Sequence, residues 1–320
     1  MIEDSIRNFH TQFLFEPRVA NEANLKPARV FVVCGMGGSA FAADAFRVAN
    51  PGPRVVVHRG YGLPRAAERE KDETLVIAVS YSGNTEETID AFNAARAAGL
   101  AVAAVASGGK LKELALACGA PFVEIPAGIQ PRMALGYLLK AQMKLMGYES
   151  GLRNVSALAS LLDSSAYEEK GKVLAGALFG KIPVVYASGR NGPVAYNWKV
   201  KFNEGAKIPA FWNMFPELNH NEMTGFDVTD ATKTLSERFH FIFLTDTQDH
   251  PRLRRRMEVT RRMLSARGFG VTTEALAGDS PWEKICASLL VADWAAYHLA
   301  RSYGTEPEKV PMIEEFKKMI

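Results

Sequence analysis

Two short stretches of this sequence gather residue types that could hold an anion. The first, "CGMGGSA" (34–40), follows the apolar run "ARVFVV". Gly37 and Gly38 carry no side chains, so main-chain amides can approach a ligand closely, and the helix expected from Ser39 adds a partly positive N-terminus and a hydroxyl. The second stretch, "SYSGNTEET" (80–88), closes the apolar run "TLVIAV" and sets Ser80, Ser82 and Thr85 around Gly83. Hydroxyls and amides without a lysine suit a phosphate carried on a neutral body, each hydrogen bond to a charged group contributing about 1.5–3 kcal/mol. Plainer readings stand beside this one: Ser39 as a helix cap, and Thr85 with Thr88 as capping residues while Glu86 and Glu87 complement the first helical turn.

The first stretch also satisfies G-x-G-x-x-G/A through Gly35, Gly37 and Ala40, in the strand-to-helix setting of a dinucleotide fold. Such a fold needs an acid about 20 positions on for the ribose. Here the next apolar run, "RVVVHRG", ends in His58 and Arg59. Arg59 would suit a 2′-phosphate, but no second fingerprint accompanies it, and no cofactor is expected.

Four further residues have side chains suited to proton transfer or charge stabilisation. Glu204, in "KFNEGAK", lies between Lys201 and Lys207, where a carboxylate is ordinarily a surface ion pair. His220 stands in the polar cluster "PELNHNE", and imidazole titrates near neutrality. Arg132 follows "GIQP" at the mouth of a helix; its planar, permanent charge fits an oxyanion shared by two oxygens, or simply a helix-entry surface position. Lys317 lies in a final amphipathic helix, where a lysine is ordinarily solvated. The six histidines are dispersed and make no H-x-x-x-H, and three cysteines (Cys34, Cys118, Cys286) are too few and too separated for zinc or a disulfide framework. No metal is expected.

Parallel sheets covered by helices must position these residues. Strands are predicted over 29–33, 54–57, 74–80, 101–105 and 122–125, with helices over 39–49, 85–98, 110–118 and 132–146. The pattern then restarts with a strand over 182–189, a helix beyond it through "NGPVAYNWKVKFNEGAK", strands over 239–244 and 270–275, and helices over 251–266, 281–303 and 311–319. Two doubly wound α/β domains, 1–150 and 151–320, are therefore expected, with sites at the carboxyl ends of their strands. Length and composition agree: 320 residues, 48% hydrophobic and 23% charged, fit two globular domains. A formal charge of +3 gives no basic field for nucleic acid, and the run "RLRRR" (252–256) with Arg261, Arg262 and Arg267 reads as a solvated helix face or an anion contact. No run of about 18 apolar residues and no signal-peptide core occurs, so no membrane partner and a cytoplasmic location are expected.

"GMGGSAFAAD" with "VSYSGNTEET" resembles the sugar-isomerase (SIS) domain, a flavodoxin-like αβα sandwich that binds phosphosugars through such hydroxyls. With "PRMALGYLL" (131–139), "NWKVKFNEGAKIPAFWNMFPELNHNEMTGF" (197–226) and "IEEFKK" (313–318), the chain is similar over nearly its whole length to the bifunctional phosphoglucose/phosphomannose isomerase family. The resemblance implies two SIS domains and a metal-free aldose–ketose isomerisation of glucose 6-phosphate, and of mannose 6-phosphate, with fructose 6-phosphate. It makes Gly37, Gly38, Ser39, Ser80, Ser82 and Thr85 the phosphate grip. Glu204 becomes the base moving a proton between C1 and C2, Arg132 the support of the cis-enediolate, and His220 the ring-opening group, reaching the site from a neighbouring subunit of a homodimer. Lys317 matches the family's "I-x-x-L-K" with Phe316 in place of leucine and aids ring opening. "GTEPEKVP" (304–311) departs from a "DP-x-P-V"-like segment and changes charge through Glu306, Glu308 and Lys309. Two rivals remain at this stage: a phosphosugar-sensing SIS protein without catalysis, which would ordinarily carry a helix-turn-helix that 1–28 is too short to hold, and an isomerase of another sugar phosphate.

Overall fold

A computed structural model describes residues 1–50 and 52–319. The chain forms two compact units, residues 8–162 and residues 163 onward joined by residues 1–7. Helix α1 (Ile2–Arg7) belongs to the second unit: Arg7 pairs with Glu168 at 2.9 Å, and the Tyr297 hydroxyl donates to Glu3 at 2.6 Å.

The first unit is built on six strands: β1 (Val19–Ala20), β2 (Val30–Gly35), β3 (Arg54–His58), β4 (Thr74–Val79), β5 (Ala101–Ala106) and β6 (Phe122–Glu124). Their order is β1-β6-β5-β4-β2-β3, all parallel except β1, which pairs antiparallel with β6. Helices α2 (Gly37–Ala49), α3 (Arg65–Arg69), α4 (Glu86–Ala97), α5 (Gly109–Ala117) and α6 (Leu135–Leu145) cover the faces. Every residue of β2 and β4 is buried, as the unbroken apolar runs require. The unit ends with α7 (Glu149–Ser156) and α8 (Leu158–Leu161); the expected divide at 150/151 lies inside α7, whose Leu152 and Val155 are buried where it packs on α6.

The second unit runs α9 (Glu168–Leu178), β7 (Ile182–Ser188), α10 (Gly192–Lys201), β8 (Phe211–Phe215), α11 (Lys233–Ser236), β9 (Phe239–Thr245), α12 (Pro251–Ala266), β10 (Gly270–Ala275), α13 (Pro281–Tyr303) and α14 (Pro311–Lys317). Its four strands are all parallel, in the order β10-β9-β7-β8. Tyr186, Phe215, Phe241, Phe243 and Met257 form an aromatic-rich core under α12, and the long helix α13 is buried over most of its length. Strands β1 and β8 and helices α1, α3, α7 to α9 and α11 are not among the predicted elements. Strand β8 is a half-exposed edge strand between Pro209 and Pro216, and Asn213 breaks its apolar residues into two pairs. The basic stretch does form a helix, α12, and its charges face outward: Arg261 and Arg262 pair with Glu258, and Arg267 with Asp227.

In both sheets the first strand of the α/β pattern has the second on one side and the third on the other. The connections therefore diverge between β2 and β4, and again between β7 and β9, opening a crevice at the carboxyl ends. Among the described residues no helix is long and apolar enough to cross a membrane.

Candidate active site

The two hydroxyl-bearing loops of the first unit leave β2 and β4, the neighbouring strands between which its crevice opens. Helix α2 begins at Gly37 after Met36, an extended residue, and the amides of Ser39 and Ala40 turn back to the Met36 carbonyl at 3.0 and 3.3 Å. Of the first-turn amides, those of Gly37 and Gly38 are left for a ligand. The Ser39 hydroxyl, buried, accepts from the Tyr81 amide at 3.2 Å and so ties the first loop to the second.

The second loop is organised by its own serine. The Ser80 hydroxyl is buried, lies 2.8 Å from the Thr85 hydroxyl, and accepts from the amides of Gly83 at 3.0 Å and Thr85 at 3.4 Å. It braces the turn. Ser82 is exposed, with its oxygen accepting from the Asn84 amide at 3.2 Å, and Thr85 is half-buried at the start of α4.

Arg132 joins this cluster through a close approach of main chains. A Cβ on Gly38 would stand 2.7 Å from the Pro131 carbonyl oxygen and 3.3 Å from the Arg132 Cα, so only glycine lets the short 3₁₀ turn Pro131–Met133 rest against α2. Arg132 is buried and donates to the Gln130 side chain at 3.3 Å. Two residues that sequence reading passed over fix this turn. Tyr81 donates its hydroxyl to the Pro126 carbonyl at 3.1 Å and accepts from the Ile129 amide at 3.2 Å, while burial raises its pKa. Gln12 donates to the Met133 carbonyl at 2.7 Å and accepts from the Gly136 amide at 3.0 Å. Tyr81 stood in plain view between two serines, but nothing in the sequence links Gln12 to a turn so far along the chain.

Other groups of the same loops have neighbours of their own. Arg59, the side chain that would have taken a 2′-phosphate, is joined to the buried Asp44 carboxylate. Burial pushes the Cys34 thiol up to about 12, so it stays protonated beside the loop.

The second unit repeats the crevice and fills it with its own charge. Arg190, after β7, pairs with Asp246 at 2.5 Å and Asp249 at 3.4 Å after β9, and Lys284 pairs with Asp246 at 3.0 Å. Burial pushes the Asp246 carboxyl up, but the Gln248 amide, Lys284 and Arg190 outweigh it and hold the group below the usual carboxylate range. Burial lifts Asp249 above that range. The cations of this crevice are thus already engaged by two carboxylates, whereas the loops of the first crevice carry uncharged hydroxyls and amides.

Glu204, His220 and Lys317 stand on three separate elements of the second unit. Helix α10 runs into one π-helical turn, Phe202–Ala206, that carries Glu204 half-buried and ends at Lys207 with φ +60°. The flanking lysines differ from a simple ion-pair pattern: Lys201 turns inward to Asp293, and the Lys207 ammonium bonds the Glu204 main-chain carbonyl. His220 ends the 3₁₀ turn Glu217–His220 and is exposed, while its neighbours anchor the loop. Leu218 is buried, Asn219 donates to Thr260 at 2.8 Å, and Glu222 accepts from the Tyr186 hydroxyl, whose pKa burial and that bond drive upward. Lys317 closes α14, whose residues are all exposed.

A sequence profile of the bacterial phospho-glucose isomerase C-terminal SIS domain matches residues 167–320. A bifunctional phosphoglucose/phosphomannose isomerase of Aquifex aeolicus is 33% identical over 319 residues, covering 98% of this chain and 96% of its own length. The chain belongs to this family. A second bifunctional phosphoglucose/phosphomannose isomerase, of Caldicellulosiruptor bescii, is 36% identical over 90% of this chain and 88% of its own. The fold of the family member extends to tagatose-6-phosphate ketose/aldose isomerase from Escherichia coli, at a TM-score of 0.65 and 17% identity, covering 95% of this chain and 88% of that one.

Proposed function

We propose that this protein is an aldose–ketose isomerase that interconverts glucose 6-phosphate, and mannose 6-phosphate, with fructose 6-phosphate. The observation that carries the reading is the uncharged cradle at the first crevice, with Arg132 held against it through Gly38, in a chain whose relatives bear that activity in their names. The amides of Gly37 and Gly38 and the hydroxyls of Ser39, Ser82 and Thr85 take the phosphate, and Ser80 holds the turn in shape. Binding energy spent on this non-reacting end holds the sugar so that C1 and C2 meet a catalytic group in a fixed pose.

In the open-chain sugar Glu204 removes the proton from C2 of the aldose and returns it to C1, giving the ketose; the reverse reaction begins at C1. One carboxylate serves both transfers, and such proton transfer contributes about 10²–10⁴-fold. Charge that builds on O1 and O2 of the cis-enediolate meets the guanidinium of Arg132, so the proposed chemistry draws its positive charge from the protein. His220 passes protons between the ring oxygen and the anomeric hydroxyl to open the ring, and Lys317 assists. His220 projects from its anchored loop, and we assign it to the site of a neighbouring copy in a cytoplasmic homodimer.

Turnover from fructose 6-phosphate in a coupled assay, with solvent deuterium appearing at C2 of the glucose 6-phosphate formed, is the expected result. Glu204→Gln should lower kcat by about 10²–10⁴-fold with folding intact. No turnover of fructose 6-phosphate by the folded protein, or a Glu204→Gln enzyme near the wild-type rate, would overturn the assignment.

A further inference from the structure

Glu204 is presented by an unusual piece of backbone. Helix α10 widens at its end into a single π turn, Phe202–Ala206, and such turns are costly enough that they persist chiefly where a site needs them. Something must hold this one open. Asn203 donates to the Ile208 carbonyl at 2.9 Å and closes the turn from below, but that contact is local.

The contacts that fix the turn in space come from α13. Lys201, the last residue before the turn, is buried, and its ammonium meets both carboxylate oxygens of Asp293 at 2.8 and 3.0 Å. Asp293 is itself buried in the middle of α13. One turn earlier along α10, the Trp198 indole donates to Ser288 of the same helix at 2.9 Å. Beyond the ion pair, a Cβ on Gly205 would stand 3.1 Å from the Ala296 Cβ, so the π turn itself lies against α13. Ser288, Asp293 and Ala296 thus form a line of contacts along α13 that ends beside the residue following Glu204.

Burial makes the ion pair a poor choice for stability alone. Two charges lose their hydration, and well-packed apolar residues at such positions are often as stabilising or more so. What the pair supplies is register, since a lysine ammonium between two carboxylate oxygens tolerates little sliding of α10 along α13.

We infer that Asp293 is a positioning residue for isomerisation: through Lys201 it sets the register of the π turn and thereby aims the Glu204 carboxylate. The inference rests on Glu204 being the base proposed above. A displacement of the turn on the scale of an ångström would cost kcat about 10²-fold, while the phosphate cradle, built wholly from the other unit, keeps KM within about twofold.

Four variants test this: Glu204→Gln, Asp293→Asn, Gly205→Ala, and the apolar double variant Lys201→Met with Asp293→Leu. Each is read by thermal midpoint, kcat and KM for fructose 6-phosphate. The double variant should regain the thermal midpoint of the wild type while kcat stays low and KM stays near wild type. Gly205→Ala keeps the ion pair and only presses the turn off Ala296; it should lower kcat in the same KM-neutral way and supplies the answer if the charge variants do not fold. A double variant that recovers kcat together with stability, or a Gly205→Ala enzyme of unchanged kcat, would make Asp293 merely structural even with Glu204→Gln inactive. An active Glu204→Gln enzyme would instead remove the base, and the inference with it.

Discussion

Replacing Gly83 by alanine probes how the turn proposed to bind phosphate is held. Gly83 adopts φ +73°, and a Cβ there would stand 1.8 Å from the Gly108 carbonyl oxygen, 2.7 Å from its carbon and 3.1 Å from the Gly109 Cα. These are main-chain atoms on the loop after β5, a loop already joined to the turn by the Leu111 amide donating to the Gly83 carbonyl at 2.8 Å and the Lys110 amide donating to Asn84 at 3.0 Å. No rotamer change relieves the overlap, so one loop must move by more than about 1 Å to reach ordinary contact. The left-handed backbone costs alanine about 1–2 kcal/mol and the forced displacement about 1–3 kcal/mol more. Gly147 is the control: φ is +66° and nothing lies within 4 Å of its would-be Cβ, so Gly147→Ala meets the backbone cost alone. Urea midpoints at unchanged m should therefore rank Gly83→Ala below Gly147→Ala by about 1–3 kcal/mol. Moving Ser82 and Thr85 off the phosphate should also weaken competitive inhibition by inorganic phosphate about tenfold or more, one charged hydrogen bond being about 1.5–3 kcal/mol. Equal destabilisation of the two variants, or unaltered phosphate inhibition in Gly83→Ala, would refute the reasoning.

Two further outcomes follow from buried polar groups. Tyr81→Phe deletes the hydroxyl that joins the Pro126 carbonyl and the Ile129 amide; it should cost about 1–3 kcal/mol in urea unfolding and lower kcat by loosening the approach to Arg132, and retained stability with retained kcat would show that the bridge is idle. His240 is depressed below its ordinary pKa, by burial first and by Lys181 second, and its ring bonds the Thr272 hydroxyl at 2.8 Å. The unfolded chain gains a proton near pH 6.5 where the folded chain does not, so stability is full above that pH and falls as the pH drops toward the folded value. His298, also lowered chiefly by burial, adds to the same slope. His240→Gln should flatten the loss of urea midpoint between pH 7 and 5, and an unchanged slope would assign it elsewhere.

Local patterns were legible in the sequence wherever one face or both faces of an element are uniformly apolar. The runs that became β2, β4, β5, β7 and β9 could be read because strands covered on both sides carry unbroken apolar residues. Strand β8 could not, since Asn213 interrupts its short run of apolar residues and most of the strand is only partly buried at the sheet edge. The hydroxyl loops were visible as composition, and their place beside β2 and β4 followed once the strands alternated with helices. Their division of labour did not follow, because whether Ser80 faces a ligand or braces its own turn depends on the amides of Gly83 and Thr85 folding back to it.

The sequence by itself determined the α/β class, the paired hydroxyl-bearing loops and, through the spacing of its motifs, the family. Only the tertiary structure decided that the second of two similar crevices is occupied by its own ion pairs, since Asp246 and Asp249 come to Arg190 from a different strand. It also decided what Lys201 does, turning an apparent surface partner of Glu204 into a buried tie to α13, 92 residues along the chain. The physical reason is the same in each case: hydrogen bonds and ion pairs between distant segments depend on how helices pack against sheets, and no periodicity in one segment records what another will bring to it.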